Sequence, residues 1–374
     1  MRPLTSSLRL GTLIIAGALL AACTAASTPQ PTAAPAPTAG GSPASSPTAA
    51  AGELPKPELT TLRLGVSAAS EMSQFAGTNA MMAGVFDKYG IKATVSGFEA
   101  TAKAVAALQS GQIDIGIADT TSAMASQLGD VPFVVIGVAA AFLTDDLVCG
   151  ASIKGPADVK GKKVAIGSFG SIAYASALLA LRSMQLATTD VQITQVGGQT
   201  ARVAAVKAGS VECAVVDKSI QNEMVAAGLN IVAKVYEPPQ PYARSSTAVT
   251  EAFLEKNPNT VLVSLAAILE GQNLIWADTT GTAQRFAEWT QTDLAKATPV
   301  VQDFLTVGNR SMLWTDEFFV NAKKTVAAIN PDVIDVDIQT AQDKSLITSL
   351  LDGGFYTKIG NPATCLEWTP TKSC

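Results

Sequence analysis

The chain has 374 residues, 48% hydrophobic and 15% charged, enough for two or three domains with substantial cores. Its net charge is −5 and it carries no basic run, which excludes the electrostatic footprint of a nucleic-acid binder. It contains no histidine, which excludes His-ligated metal sites, Ser–His and Cys–His nucleophile pairs and histidine proton relays.

In chain order, the first residues "MRPLTSSLRLGTLIIAGALLAAC" place Arg2 and Arg9 before an apolar run that ends at Leu20. The run is too short for a permanent membrane span and has the flanks of a secretory signal, residues 1–22. The small residues directly before Cys23 resemble the lipobox of bacterial lipoproteins. That resemblance implies that Cys23 is lipidated, palmitate included, and becomes the mature N-terminus. An ordinary signal peptide beside a chance cysteine would not explain why position, small residues and following linker agree. Removing residues 1–22 leaves 24 basic and 31 acidic residues, net −7. Residues 23–60 are rich in Ala, Pro, Thr and Ser and nearly free of large apolar side chains, so they read as an extended, disordered tether. The expected location is the outer face of the cell membrane, or the periplasmic side in a two-membrane cell.

From Thr61 the pattern alternates. "TLRLGV", "IKATVSGF", "QIDIGIAD" and "VPFVVIGVAA" read as strands, separated by the helical stretches "SQFAGTNAMMAGVFDKYG", "ATAKAVAALQSG" and "TTSAMASQLG". "DLVCGAS" leads into a second series. Its strands are "KKVAIGS", "VQITQVGG", "ECAVVDK" and "NIVAKVYE", and its helices are "SIAYASALLALRSMQL", "TARVAAVKAG" and "IQNEMVAAG". Alternation of this kind predicts parallel sheets covered by helices on both faces, here in two α/β lobes. Beyond Pro241, "SSTAVT" is one more candidate strand. Residues 251–351 are mostly amphipathic helix and pack back onto one of the lobes. Trp276, Trp289 and Trp314 fall in that part and read as packing residues.

Four further cysteines, Cys149, Cys213, Cys365 and Cys374, allow three pairings in an exported chain. Cys365 and Cys374 are close together in the tail and are expected to pair. Cys149 and Cys213 sit in apolar strand-like runs and read as buried thiols.

Three stretches, "ALQSGQIDIGIADTTSA", "VKGKKVAIGSFGSIAY" and "AAVKAGSVECAVVDK", occur in the order and spacing of a known pattern. By them the chain resembles the substrate-binding lipoproteins of ABC importers for nitrate, aliphatic sulfonates, taurine and thiamine-pyrimidine precursors, over about Thr61 to Thr325. The resemblance implies the type II periplasmic binding fold: two Rossmann-like lobes joined by two crossing segments, with the C-terminal helices on lobe one. Lobe one is placed at 61–150, lobe two at 151–240 and the return with its helical tail at 241–374. The crossings fall near 146–154 and 236–247. The resemblance also implies a monomer without cofactor or metal, an ABC permease with its ATPase as partners, and a ligand between the lobes.

Sheets of this class bind ligands at the carboxyl ends of their strands. Those loops nominate Ser67, Gln74, Phe98, Glu99, Asp119 and Thr120 in lobe one. In lobe two they nominate Ser168, Phe169, Ser171, Tyr174, Gln199 and Asp217, with Tyr242 from the return. The turn Ser168–Ser171 opens a helix, so it is suited to an anion or polar group, or Ser171 merely caps its own helix. Lys103, Arg202, Lys218 and Arg244 are the nearby cations, and Phe75, Phe98, Phe169, Tyr174 and Tyr242 could stack on a flat ring. Glu71 and Asp119 can be read as an acid pair, although nothing in the sequence links them. Gly155–Gly161 has five residues between its glycines and Lys163 where a P-loop needs Ser or Thr, and "GSFGS" is not a nucleophile elbow. The expectation is therefore a non-catalytic solute-binding protein for a small organic or anionic solute, of the sulfonate, nitrate or taurine kind. A flat heterocycle in the same cleft, or a ligand sensor without a transporter, remains open. A pyrimidine-synthase-like enzyme, whose chemistry draws on histidine, is disfavoured.

Overall fold

The computed structural model describes residues 53–67, 69–98, 101–235, 241–327 and 330–366. Cys23, Glu99 and Cys374 lie outside them. In chain order the elements that build the cleft are β1 (Thr61–Val66), α1 (Ala76–Met82), β2 (Lys92–Gly97), α2 (Thr101–Gln109), β3 (Ile115–Ala118), α3 (Thr120–Ser126) and β4 (Phe133–Ala140). Then follow β5 (Asp145–Cys149), β6 (Lys163–Ile166), α4 (Ile172–Ser183), β7 (Gln192–Gln195), α5 (Gln199–Lys207), β8 (Cys213–Asp217), β9 (Asn230–Lys234), β10 (Ser245–Thr250) and the long α6 (Pro258–Ala277).

Two five-stranded sheets result, ordered β2-β1-β3-β10-β4 and β7-β6-β8-β5-β9. The orders are equivalent, and each sheet borrows one strand from the far side of a crossing. β10 enters the first sheet antiparallel between β3 and β4, and β5 enters the second antiparallel between β8 and β9. The sheets are therefore mixed, not parallel throughout. A strand that arrives directly from the other lobe has no crossover helix to reverse it, so it pairs antiparallel. This also moves the first crossing. β5 already belongs to the second sheet, so the chain passes between lobes at 141–144, ahead of the expected 146–154.

Strands buried on both faces read as near-continuous apolar runs, and β5, β6 and β8 show why. Leu147, Val164, Ile166 and Val215 face Ala177, Ala180 and Leu181 of α4. Their neighbours Val148, Ala165, Ala214 and Val216 face Val203 and Val206 of α5. In the first lobe α6 supplies Val261, Leu262, Leu265, Ile268 and Leu269 to a core shared with β1, β3 and β4. Phe318, Phe319 and Tyr356 from the C-terminal part join the same core, as expected for helices returning to lobe one.

One cysteine expectation is overturned. Cys149 and Cys213 are not buried thiols but a disulfide between β5 and β8, where they stand directly opposite each other in the antiparallel register. The pairing follows from β5 entering the second sheet, which brings together residues separated by 64 positions. Cys365 is buried and in no disulfide among the described residues; its expected partner Cys374 lies outside them.

Candidate ligand cleft

A cavity of about 740 Å³ lies where the carboxyl ends of the two sheets face each other, a volume suited to a small organic molecule. Seven of the nominated residues line it: Ser67, Gln74, Phe98 and Asp119 from lobe one, and Ser168, Ser171 and Gln199 from lobe two.

On the lobe-two side the cavity meets two helix N-termini. α4 begins at the turn Gly167–Ser171, where Gly170 takes a φ of 78° that a side chain would strain. Ser171 Oγ donates to Ser168 O at 2.7 Å and accepts from the Tyr174 N–H at 3.4 Å, so it does cap its own helix. Ile172 and Ala173, in the first turn, line the cavity. α5 starts at Gly198, which has no side chain to cap it, and Gln199, Thr200 and Ala201 of its first turn line the cavity as well. Uncapped first-turn N–H groups, with the positive end of the helix dipole, favour a negative group. Gln199 Oε1 accepts from the Asp217 N–H at 2.7 Å, which orients its amide and leaves the Nε2 donors without a partner among the described residues.

Arg202 stands one turn further along α5. It is 5% exposed and lines the cavity. Its Nε donates to Val215 O at 2.8 Å and its Nη1 to Gly197 O at 2.7 Å. Gly197 sits at a φ of 99°, open to glycine, and so turns its carbonyl to the guanidinium. Arg202 is thus held by main-chain carbonyls and is in no ion pair among the described residues. Burial lowers its pKa and the Arg244 charge adds to that, while the carboxylates of Glu71, Asp145 and Asp217 oppose it.

Arg244 is the opposite case. It lies in the second crossing, just ahead of β10, and gathers groups from every side. Its Nη1 reaches Glu71 Oε2 at 3.0 Å and Ser73 Oγ at 2.8 Å in lobe one. Its Nη2 reaches Asp145 Oδ1 at 3.3 Å at the start of β5 and Asp217 Oδ2 at 2.9 Å at the end of β8. Burial alone would depress its pKa, but Asp145, Glu71 and Asp217 together hold it well above the ordinary arginine value. Burial pushes the Glu71 carboxyl up despite Arg244, and Asp217 and Asp145 push the same way.

Asp119, at the N-terminus of α3, accepts from the Ser122 N–H at 2.7 Å. It is 5% exposed and in no ion pair among the described residues. Burial pushes its carboxyl up, and the Ser122 and Ile172 donors offset part of that. Glu71 and Asp119 both line the cavity, so the two acids nominated from the sequence do share one space, but each has its own surroundings.

Of the other nominated residues, Glu99 lies outside the described ones, and Thr120, Phe169, Tyr174, Asp217 and Tyr242 are not part of the lining. The Thr120 hydroxyl is buried and donates to Ala243 O. Asp217 is taken up by Arg244 and by the Thr144 hydroxyl, 2.5 Å away. Tyr242 is buried with its hydroxyl 3.2 Å from Thr121 Oγ1. Phe169 points outward, 55% exposed and edge-on to Tyr174 at 5.1 Å, because its N–H is tied to Gln195 Oε1. Phe75 is buried against Phe286. Of the five loop aromatics, only Phe98 lines the cavity. Among the nearby cations, Lys103, Arg202 and Arg244 line it and Lys218 does not. Glu71 and Asp145 join the lining without having been nominated as ligand contacts. Their partnership through Arg244 spans 173 and 99 positions of sequence, a separation that no local pattern reveals.

A family model described as NMT1/THI5 like matches residues 78–280, more than half of the chain. No curated protein sequence matches. Among solved structures, the alkanesulfonate-binding protein SsuA from Xanthomonas axonopodis pv. citri, bound to MOPS, is similar with a TM-score of 0.64 at 16% identity, over 77% of this chain and 99% of that one. The periplasmic nitrate-binding protein NrtA from Synechocystis PCC 6803 gives 0.64 at 15% identity, over 85% and 94%. The periplasmic aliphatic sulphonate binding protein SsuA from Escherichia coli gives 0.59 at 20% identity, over 76% and 92%. At these identities the likeness is one of fold, and the fold is the two-lobed periplasmic binding architecture.

Proposed function

We propose, for a chain that belongs to the NMT1/THI5-like family, that it is the extracytoplasmic solute-binding component of an ABC importer. It performs no catalysis. It holds a small solute with a negatively charged group between its lobes, closes on it, and delivers it to a membrane permease driven by a cytoplasmic ATPase. Its leader and Cys23 support export and lipid anchoring, and the Ala/Pro/Thr-rich sequence that follows Cys23 supports free reorientation above the membrane; the expected tether ends earlier than residue 60, since Leu54 packs on the lobe-one core and Glu58 accepts from the Asn259 and Thr260 N–H groups.

Arg202 carries the reading. A buried guanidinium bonded, among the described residues, to carbonyls and to no carboxylate, beside two helix N-termini, is suited to a ligand anion. The flat-heterocycle alternative rested on loop aromatics, and four of those five lie away from the cavity.

The test is a panel of organic anions scored by thermal shift, followed by calorimetry on Arg202→Gln. A ligand at about 100 times its Kd stabilises the fold by roughly 2.7 kcal/mol, which for a protein of this size is a rise of about 5 °C in Tm. Losing a charge-assisted bond of about 1.5–3 kcal/mol should weaken binding by about one to two decades in the variant. Undiminished affinity in Arg202→Gln would place the anion elsewhere.

A further inference from the structure

Two helices of opposite lobes begin at the cavity beside one carboxylate. Asp119 caps α3 in lobe one, where its Oδ1 accepts from the Ser122 N–H at 2.7 Å. The Ile172 N–H, the first of α4 in lobe two, is also among the donors to that carboxylate. The second crossing holds the two helix starts side by side. Thr120 of α3 donates its hydroxyl to Ala243 O, and Thr121 Oγ1 lies 3.2 Å from the Tyr242 hydroxyl. Tyr242 shares an apolar cluster with Leu143 of the first crossing, with Ile172 and Leu179 of α4, and with Ala322 of the C-terminal helix Asp316–Ala327. The first turn of α4 thus abuts lobe one, and Asp119 and Ile172 both line the cavity.

Ser171 Oγ serves the Tyr174 N–H of α4, and the Ile172 N–H is a donor that the helix cannot satisfy from within. Lobe one supplies the acceptor. We propose that Asp119 is a cross-cleft latch: one carboxylate of lobe one caps α3 and α4 together, stands at the α4 N-terminus in place of a ligand anion, and draws the empty cleft closed. A carboxylate at a helix N-terminus is favoured by the N–H groups and by the dipole. The link to α4 exists only while the lobes are together, so its free energy counts in full toward the closed state. Burial opposes the charged carboxylate, and the Ser122 and Ile172 donors offset part of that, which makes the latch a bias and not a lock. With the α4 end taken by the protein, a ligand anion is left the start of α5 and Arg202, which bonds carbonyls and no carboxylate among the described residues. The latch then stays made when the cleft fills, and it lowers the free energy that the ligand must supply to close the lobes.

The test is the distance between spin labels at Asp87→Cys in lobe one and Thr189→Cys in lobe two, both exposed positions. It is measured without ligand, in the full chain with Cys23 and Cys374 replaced by Ser. Asp119→Ser offers one shorter acceptor, which still caps α3 and ends short of α4. Ile172→Pro removes the donor from the other side. Proline is accommodated at the first position of a helix, and Ser171 before it is already extended, at φ −82° and ψ 166°. Ile172→Ala trims the side chain and keeps the N–H. The expected result is a closed population in the empty parent. Asp119→Ser and Ile172→Pro should each raise its ratio of open to closed chain about tenfold, as loss of a charge-assisted bond implies. The double variant should open no further than either single one, and Ile172→Ala less than Ile172→Pro. Distances unmoved by Asp119→Ser and Ile172→Pro, additive opening in the double variant, or equal opening in Ile172→Ala and Ile172→Pro overturns the latch. So does an empty parent that is wholly open, a result that needs no variant to fold. The distances are read without ligand, so their failure leaves the cleft reading standing, and that reading is tested separately by Arg202→Gln.

Discussion

Asp146 should make the fold lose stability as the pH rises. It lies on β5 with no solvent exposure, and neither carboxylate oxygen has a hydrogen bond. Burial, reinforced by Asp145 and Asp217 against the pull of Lys234 and Lys218, pushes its pKa up to about 7. In the unfolded chain the same carboxyl titrates near about 4. Between those values the native state holds a proton that the unfolded state has released. Stability therefore falls with rising pH across that window, and the loss is complete above about pH 7. About three units of pKa set a ceiling on the order of 4 kcal/mol, at about 1.4 kcal/mol per unit. Asp146→Asn keeps the shape and removes the titration. Urea unfolding from pH 4.5 to 8 should show the parent falling more steeply than the variant, with the variant more stable at pH 8 by on the order of 2–4 kcal/mol. Glu71 and Asp119 are shifted the same way and add to the slope of both proteins, so the difference isolates Asp146. Parallel curves, or a variant less stable at pH 8, would refute the argument.

Replacing Cys149 and Cys213 together by Ser should cost up to about 4 kcal/mol, the loop-closure entropy for a separation of this size, read as a drop in the urea midpoint. Gly271→Ala should destabilise by about 1–3 kcal/mol or more, because its Cβ would stand 2.3 Å from Ala76 O and 2.6 Å from Ala80 Cβ where α6 crosses α1; an unchanged Tm would contradict that close approach. Arg244→Met should cost about 3–5 kcal/mol by leaving buried carboxylates unpaired. Arg244→Lys should rescue little of that, since one ammonium cannot span three carboxylates; full recovery in circular-dichroism melts would refute this. Cys23→Ser should shift the protein from the membrane to the soluble fraction on cell fractionation, and continued sedimentation with membranes would argue against lipidation there.

The strand-end loops could be read from the sequence because the rule behind them is local: alternating apolar runs locate the strands, and small polar residues mark where each strand gives way to a helix. That is why Ser67, Gln74, Phe98, Asp119, Ser168, Ser171 and Gln199 all reach the cavity. The direction of a side chain within such a loop is not local. Phe169 turns out because Gln195 from the neighbouring strand takes its N–H, and Tyr242 is sealed in by Thr121, 121 positions away. The exchanged strands were hidden for a similar reason. An apolar run such as "DLVC" shows that β5 is buried but not which sheet buries it. That assignment depends on pairing with β8 and β9, and the Cys149–Cys213 disulfide depends on it in turn.

The two buried arginines divide the labour of a closing cleft. Arg244 sits in the second crossing, reaches Glu71 in lobe one, and bonds Asp145 at the start of β5 and Asp217 at the end of β8 in lobe two. Any rotation of the lobes about the crossings must stretch or re-form those bonds, so Arg244 favours a defined closed geometry with its charge already satisfied. Arg202 is fixed just as firmly, but by carbonyls that leave its charge unmatched. Had Arg202 paired with a protein carboxylate, closure of the empty cleft would compete directly with closure around a ligand. On the proposed reading, the free energy that a ligand supplies to closing the lobes depends on the negative charge it brings to Arg202.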